Sequence, residues 1–124
     1  MVSNIFIGTD IVSVPRLNKT INSSQGDIFT NRIFTENEIN YCSDKVNSIV
    51  HFAGRFAAKE AIKKALLSSE IIESISMKSI EIISGKNRKP EVNLLFSNKL
   101  QFKCKVSISH TDEYAVAFAL IELY

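Results

Sequence analysis

Three acidic or titratable side chains stand where their neighbours argue against them. Asp10 interrupts Ile7, Ile11 and Val12 in the stretch IGTDIV, and aspartate is disfavoured in strands. Glu60 stands among Ala53, Ala57 and Ala61 in FAGRFAAKEAIKKAL, residues 52–66. At about 100° per residue, helix positions 53, 57, 60, 61 and 64 fall on one side. Alanines on that side let another backbone or a ligand come near, and Lys64 lies one turn beyond Glu60, with Lys59 and Arg55 round the side. A buried carboxylate needs a partner or a metal. Two carboxylates, completed by water and phosphate oxygens, are a usual way of holding Mg²⁺. Blander readings stand beside this one. Asp10 could be satisfied by backbone N–H groups in a bulge or turn, and Glu60 could form an exposed i,i+4 pair with Lys64. His110 ends VSISH before Thr111 and Asp112. It reads either as a hairpin residue or as a phosphate ligand or proton carrier at a strand end.

The elements that must position these groups follow from local pattern. Residues 4–14, rich in β-branched and aromatic types, read as a strand broken at Gly8. Ser13 followed by Pro15 starts a helix over about 15–22, ended by SSQGD. Thr35 and Glu38 have the spacing of a capping box, so a short helix follows over about 36–43. A long helix over about 46–67 carries Phe52, Phe56, Ile62 and Leu66 as its bulk. Residues 78–84 and 91–96 read as strands joined by GKNRKP, and KCKVSISH and YAVAFALIEL as a hairpin around HTDE. Helices followed by clustered strands predict an α+β fold, with a mainly antiparallel sheet packed on the long central helix.

The chain has 124 residues and a net charge of +2, which predicts a single domain, residues 1–124, with a real core. Mild basicity alone does not argue for nucleic acid, though it suits a phosphate-bearing or acidic partner. Cys42 and Cys104 have neither CxxC nor histidine at metal spacing and read as reduced thiols. Residues 1–9 lack a basic start and a long apolar run, so no signal peptide is expected. No run reaches the roughly 18 apolar residues of a membrane span. Cytoplasmic localisation is the expectation.

Together IGTDIVSVPRL, FAGRFAAKEAIKKAL and VSISHTDEYAVAFAL resemble the holo-acyl-carrier-protein synthase family of 4′-phosphopantetheinyl transferases, in order, spacing and total length. The resemblance implies that fold and an enzyme of fatty acid biosynthesis. Such an enzyme moves the phosphopantetheine arm of coenzyme A onto a serine of apo acyl carrier protein and releases adenosine 3′,5′-bisphosphate. It implies that Asp10 and Glu60 hold Mg²⁺ against the coenzyme A pyrophosphate, with Lys64 near the reacting phosphate. Arg55 and His110 match contacts to the nucleotide phosphates, and Arg16 matches a residue that meets the acidic carrier protein. It also implies a homotrimer with the site at the subunit boundary. The chain departs from the family in three places: LLSSEIIES replaces a Gly-rich turn after the long helix, a short GKP-like turn is expanded to GKNRKP, and helix 15–22 has only Arg16 and Lys19 as cations and no Met where the family's carrier-protein surface is often more basic and Met-bearing. The rival reading is a small basic α+β module that binds RNA or a ribosomal partner without catalysis. Its only local support is KLQFKCK at 99–105, and no RNA-recognition signature is present.

Overall fold

The structure, a computed structural model, describes residues 4–96 and 102–124. The beginning of the basic KLQFKCK stretch, residues 99–101, lies outside the described residues. The order of elements is β1 (Ile5–Ser13), α1 (Val14–Ile21), α2 (Gly26–Ile33), α3 (Glu36–Ser43), α4 (Ser48–Ser68), β2 (Ile80–Ser84), β3 (Pro90–Leu94), β4 (Phe102–His110) and β5 (Tyr114–Leu123). The α+β expectation holds, with the strands divided between two antiparallel sheets, β1-β5-β4 and β2-β3. Helix α4 runs across the β1-β5-β4 sheet as the centre of the core.

Strand β1 is continuous through Gly8, where the sequence suggested a break. The glycine is there for a different reason. A Cβ at position 8 would stand 2.0 Å from the Ala61 carbonyl oxygen and 2.9 Å from the Ala65 amide nitrogen. The α4 backbone therefore presses directly on the β1 backbone. Ala53, Ala57, Ala61 and Ala65 are fully buried at this close-approach face. Of the two visitors that the alanines could admit, it is strand backbone that packs against them here.

Alternation decides the two faces of the β1-β5-β4 sheet. Val12 on β1 and Ala115, Ala117, Ala119 and Ile121 on β5 point into the core. The other face leaves Ile7, Ile11, Tyr114, Val116 and Phe118 exposed, each between 41% and 65%. A contiguous apolar surface of this kind is unusual on a chain that works alone.

Helix α2 was not anticipated from the sequence. It brings Phe29, and Phe34 just beyond its end, against α4. Ring centroids lie 5.6 Å apart for Phe29 and Phe56 and 5.1 Å apart for Phe34 and Phe52, both edge-to-face. Helix α3 has the capping box read from Thr35 and Glu38. Glu38 does more than cap. Its carboxylate accepts from the Thr35 amide at 2.9 Å, from the Ile82 amide at 2.8 Å and from the Lys59 ammonium in a fully buried ion pair. One side chain thus ties α3, α4 and β2 together. Burial lowers the Lys59 pKa, and the attraction of Glu38 only partly offsets it.

Candidate active site

Two clefts hold the chemistry, and they lie on different sides of α4. The first, about 330 Å³, is lined by Asp10 of β1, Arg16 of α1, Glu60 of α4 and the rings of Phe29 and Phe56. The turn from strand to helix explains how Arg16 arrives there. Ser13 Oγ accepts the Arg16 amide at 3.3 Å as the N-cap, Pro15 occupies the first turn, and the Val14 amide donates to the Glu113 carbonyl at 2.8 Å. Strand β1 therefore passes straight into α1, only a few residues after Asp10.

Asp10 sits in regular ladder opposite Ala117, so the bulge or turn that could have explained it is absent. Its partner is Lys64, whose ammonium donates to Asp10 Oδ1 at 2.9 Å and to the Thr9 carbonyl at 3.1 Å. Lys64 thus crosses from helix to strand, and the i,i+4 pair with Glu60 is not formed. Among the described residues no third aspartate, glutamate, histidine or cysteine joins Asp10 and Glu60 in a ready-made metal cluster. Two hard oxygen donors at an open cleft suit a divalent cation whose other ligands arrive with a phosphate-bearing substrate.

The second cleft, about 200 Å³, is lined by Tyr41, His51, Arg55, Ser84, Arg88 and His110, among others, and by no acid. Arg55 is 8% exposed, and its guanidinium stacks over the Tyr41 ring at 4.0 Å. Its buried Nε has no hydrogen-bond partner among the described residues. A buried charged donor left unpaired asks for an acceptor from outside the chain. The rings of His51 and His110 are 6.1 Å apart. Burial lowers the His51 pKa, and the neighbouring charge of Arg55, His110 and Lys45 lowers it further. Partial burial works to raise the Tyr41 hydroxyl, but a hydrogen bond with Ser84 and the charges of Arg55 and Lys45 outweigh it, and the net shift is downward.

The residues singled out from the sequence are therefore divided. Asp10, Glu60 and Arg16 share one cleft, with Lys64 bonded to Asp10 at its edge, while Arg55 and His110 share the other. Five residues along a helix turn through roughly 140° from each other, which places Arg55 and Glu60 on different sides of α4. No residue lines both clefts. Tyr41, His51 and Arg88 were missed by sequence reasoning. His51 alone carried a signal, one turn before Arg55 on the same helix. The thiols of Cys42 and Cys104 are both free and pushed up to about 12 by burial, which makes them poor nucleophiles.

Comparison with known proteins gives a consistent answer. The profile of the 4′-phosphopantetheinyl transferase superfamily matches residues 6–119. A holo-[acyl-carrier-protein] synthase of Thermodesulfovibrio yellowstonii is 42% identical over 115 residues, covering 93% of this chain and 96% of that one. The crystal structure of a holo-(acyl-carrier-protein) synthase from Bacillus anthracis, in complex with CoA (3′,5′-ADP), superposes with a TM-score of 0.74 at 35% identity, covering 94% of this chain and 95% of that one. The Helicobacter pylori enzyme in complex with coenzyme A superposes with a TM-score of 0.72 at 33% identity, covering 95% and 99%. Identity of this order along nearly the whole chain places the protein in the holo-[acyl-carrier-protein] synthase family of the 4′-phosphopantetheinyl transferase superfamily.

Proposed function

We propose that this chain is a single 4′-phosphopantetheinyl transferase domain that transfers the phosphopantetheine group of coenzyme A to a serine of apo acyl carrier protein, supplying fatty acid biosynthesis. The observation that carries the chemistry is the meeting of Asp10 and Glu60 in one cleft from segments far apart in sequence. Membership of an enzyme family removes the ground for the RNA-binding alternative.

In this reading Asp10 and Glu60 hold Mg²⁺, which when bound supplies positive charge against the pyrophosphate. Lys64, more than half exposed beyond its contact with Asp10, adds charge near the same phosphate. The serine oxygen forms a bond to the phosphorus that carries pantetheine, and the bond from that phosphorus to the bridging oxygen breaks. Adenosine 3′,5′-bisphosphate leaves with the electron pair. The Glu60 carboxylate is the candidate acceptor of the serine proton. Displacement of this kind depends on positioning and charge neutralisation, which is what the side chains provide. Arg16, exposed at the rim of the acidic cleft, faces the acidic carrier protein where the serine must enter. Arg55 and His110 bind the nucleotide phosphates, and the unpartnered Arg55 Nε supports that role.

One coenzyme A cannot serve two clefts on different sides of a helix unless another chain brings them together. The exposed Ile7, Ile11, Val116 and Phe118 supply a surface for it, and Ile11 also lines the acidic cleft. We read the active form as a homotrimer packed through the outer face of the β1-β5-β4 sheet, with the acidic cleft of one chain completed by the cationic cleft of the next. Free thiols fit a cytoplasmic enzyme, and no helix among the described residues is long and apolar enough to cross a membrane. Incubation with coenzyme A, Mg²⁺ and apo acyl carrier protein tests the reading. It should add one phosphopantetheine mass to a single serine and release one equivalent of adenosine 3′,5′-bisphosphate. An unmodified carrier protein would refute it. Light scattering should give three times the chain mass, and a monomer at assay concentration would remove the shared site.

A further inference from the structure

The β2-β3 hairpin carries a local contradiction at its tip. Ser84 pairs with Pro90, and the intervening loop closes through Gly85 N–H to the Lys89 carbonyl at 2.8 Å and Lys89 N–H to the Lys86 carbonyl at 3.1 Å. Its central residues are both left-handed, with Asn87 at φ 59 and Arg88 at φ 61. Consecutive positive φ values make a type I′ turn, whose strong preference is Asn followed by Gly. Asn87 suits its place. Arg88 does not, because a long side chain with a Cβ is strained where glycine is free. Strain retained at one residue points to a use for its side chain.

That side chain lines the cationic cleft with Arg55, His51 and His110. Among the described residues neither Arg88 nor Arg55 is in an ion pair. Two arginines with no acid between them, beside two imidazoles able to donate hydrogen bonds, call for a ligand carrying more than one negative charge at that end. Coenzyme A carries a 5′-pyrophosphate and a 3′-phosphomonoester on its adenosine. Its pyrophosphate must reach the acidic cleft for reaction, so the group left for the rim of the cationic cleft is the 3′-phosphomonoester. Arg88 sits on the hairpin tip rather than on α4, so it adds a donor from a second direction. A guanidinium makes forked contacts to phosphate oxygens that an ammonium cannot reproduce.

We propose that Arg88 is a specificity residue, contributed by a strained turn, that recognises the 3′-phosphate of coenzyme A and discriminates against 3′-dephospho-coenzyme A. This rests on the transferase reading above. Removal of the charge-assisted contact is expected to weaken binding roughly tenfold.

The test is calorimetric titration of the full chain, wild type and Arg88→Gly, with coenzyme A and with 3′-dephospho-coenzyme A. The wild type should bind coenzyme A the more tightly. Arg88→Gly should lose about tenfold for coenzyme A and little or nothing for the dephospho compound. Its Tm should stay level or rise, since glycine relieves the positive φ, and this separates lost recognition from lost fold. In turnover, KM for coenzyme A should rise with kcat nearly unchanged, and Arg88→Lys should restore part of the difference. Equal weakening of both ligands, or unchanged binding of coenzyme A, would overturn the assignment. If the wild type bound neither compound, the transferase reading would fail together with it. If it bound both equally, the specificity claim alone would fail.

Discussion

Lys64 neutralises Asp10 at 2.9 Å while leaving more than half of its own side chain in solvent. A carboxylate so paired is held in one orientation, and Glu60 shares its cleft. Asp10→Asn and Glu60→Gln keep size and lose charge, so each should fold and lose turnover by orders of magnitude. Each should also need more Mg²⁺, because an amide oxygen is a poorer ligand for a hard cation. The double variant should be little worse than either single one, as expected of residues acting as a unit. Steady-state rates across a Mg²⁺ series, with circular dichroism to confirm folding, check this. Near-normal turnover of folded Glu60→Gln at low Mg²⁺ would remove the shared site. His51 gives a second prediction at this scale. Burial, with the charges of Arg55, His110 and Lys45, holds its folded pKa below the ordinary value. The unfolded chain therefore takes up the proton first as pH falls below about 6.5. Stability present above that pH is lost as the pH drops through the folded pKa. Thermal melts between pH 7.5 and 5 should show a shallower decline for His51→Gln than for the wild type. Equal slopes would mean that His51 is not a source of the acid sensitivity.

Among the elements, α4 does most to position the site, and two contacts set its place. One is backbone against backbone at Gly8 and Ala61. The other is the buried Lys59–Glu38 pair, which joins α4 to α3 and, through the Ile82 amide, to β2. Lys59→Met leaves Glu38 buried without its counterion and should cost about 3–5 kcal/mol, because breaking such a pair strands a charge. Denaturant melts of Lys59→Met, Glu38→Gln and the double variant should show the double costing less than the sum of the singles. Simple addition would mean that the two side chains act independently. Much of this scale was legible in the sequence. The capping box located α3, the hairpin pattern around HTDE located β4 and β5, and apolar bulk with no proline located α4. What could not be read was anything that depends on a partner element. Gly8 looked like a break because its reason is the α4 backbone, which only tertiary packing brings near. Lys59 beside Glu60 read as a residue at the side of the helix because Glu38 lies in another helix. Helix α2 begins at Gly26, a weak helix former, immediately after turn-like residues, so local propensity concealed it.

For the molecule as a whole, the residues singled out from the sequence divide between two clefts, and the sequence did not show that division. Asp10, Glu60 and Arg16 line one, with Lys64 bonded to Asp10 from outside it, and Arg55 and His110 line the other. Nothing in a linear pattern says on which side of a helix a cleft will open, since that depends on how α3, β2 and β4 surround it. The separation has a genetic consequence. If a working site takes its acids from one chain and its phosphate ligands from the next, a protein lacking Asp10 and a protein lacking Arg55 are each dead alone. Yet each carries the half that the other lost. Co-expressed Asp10→Asn and Arg55→Ala chains, assembling at random, would form intact sites at roughly a quarter of their interfaces in a cyclic oligomer. Mixed trimers should therefore recover about that share of wild-type turnover, whereas a chain that acts alone would recover none. The two lesions would complement one another as if they lay in different genes, although both fall within one reading frame.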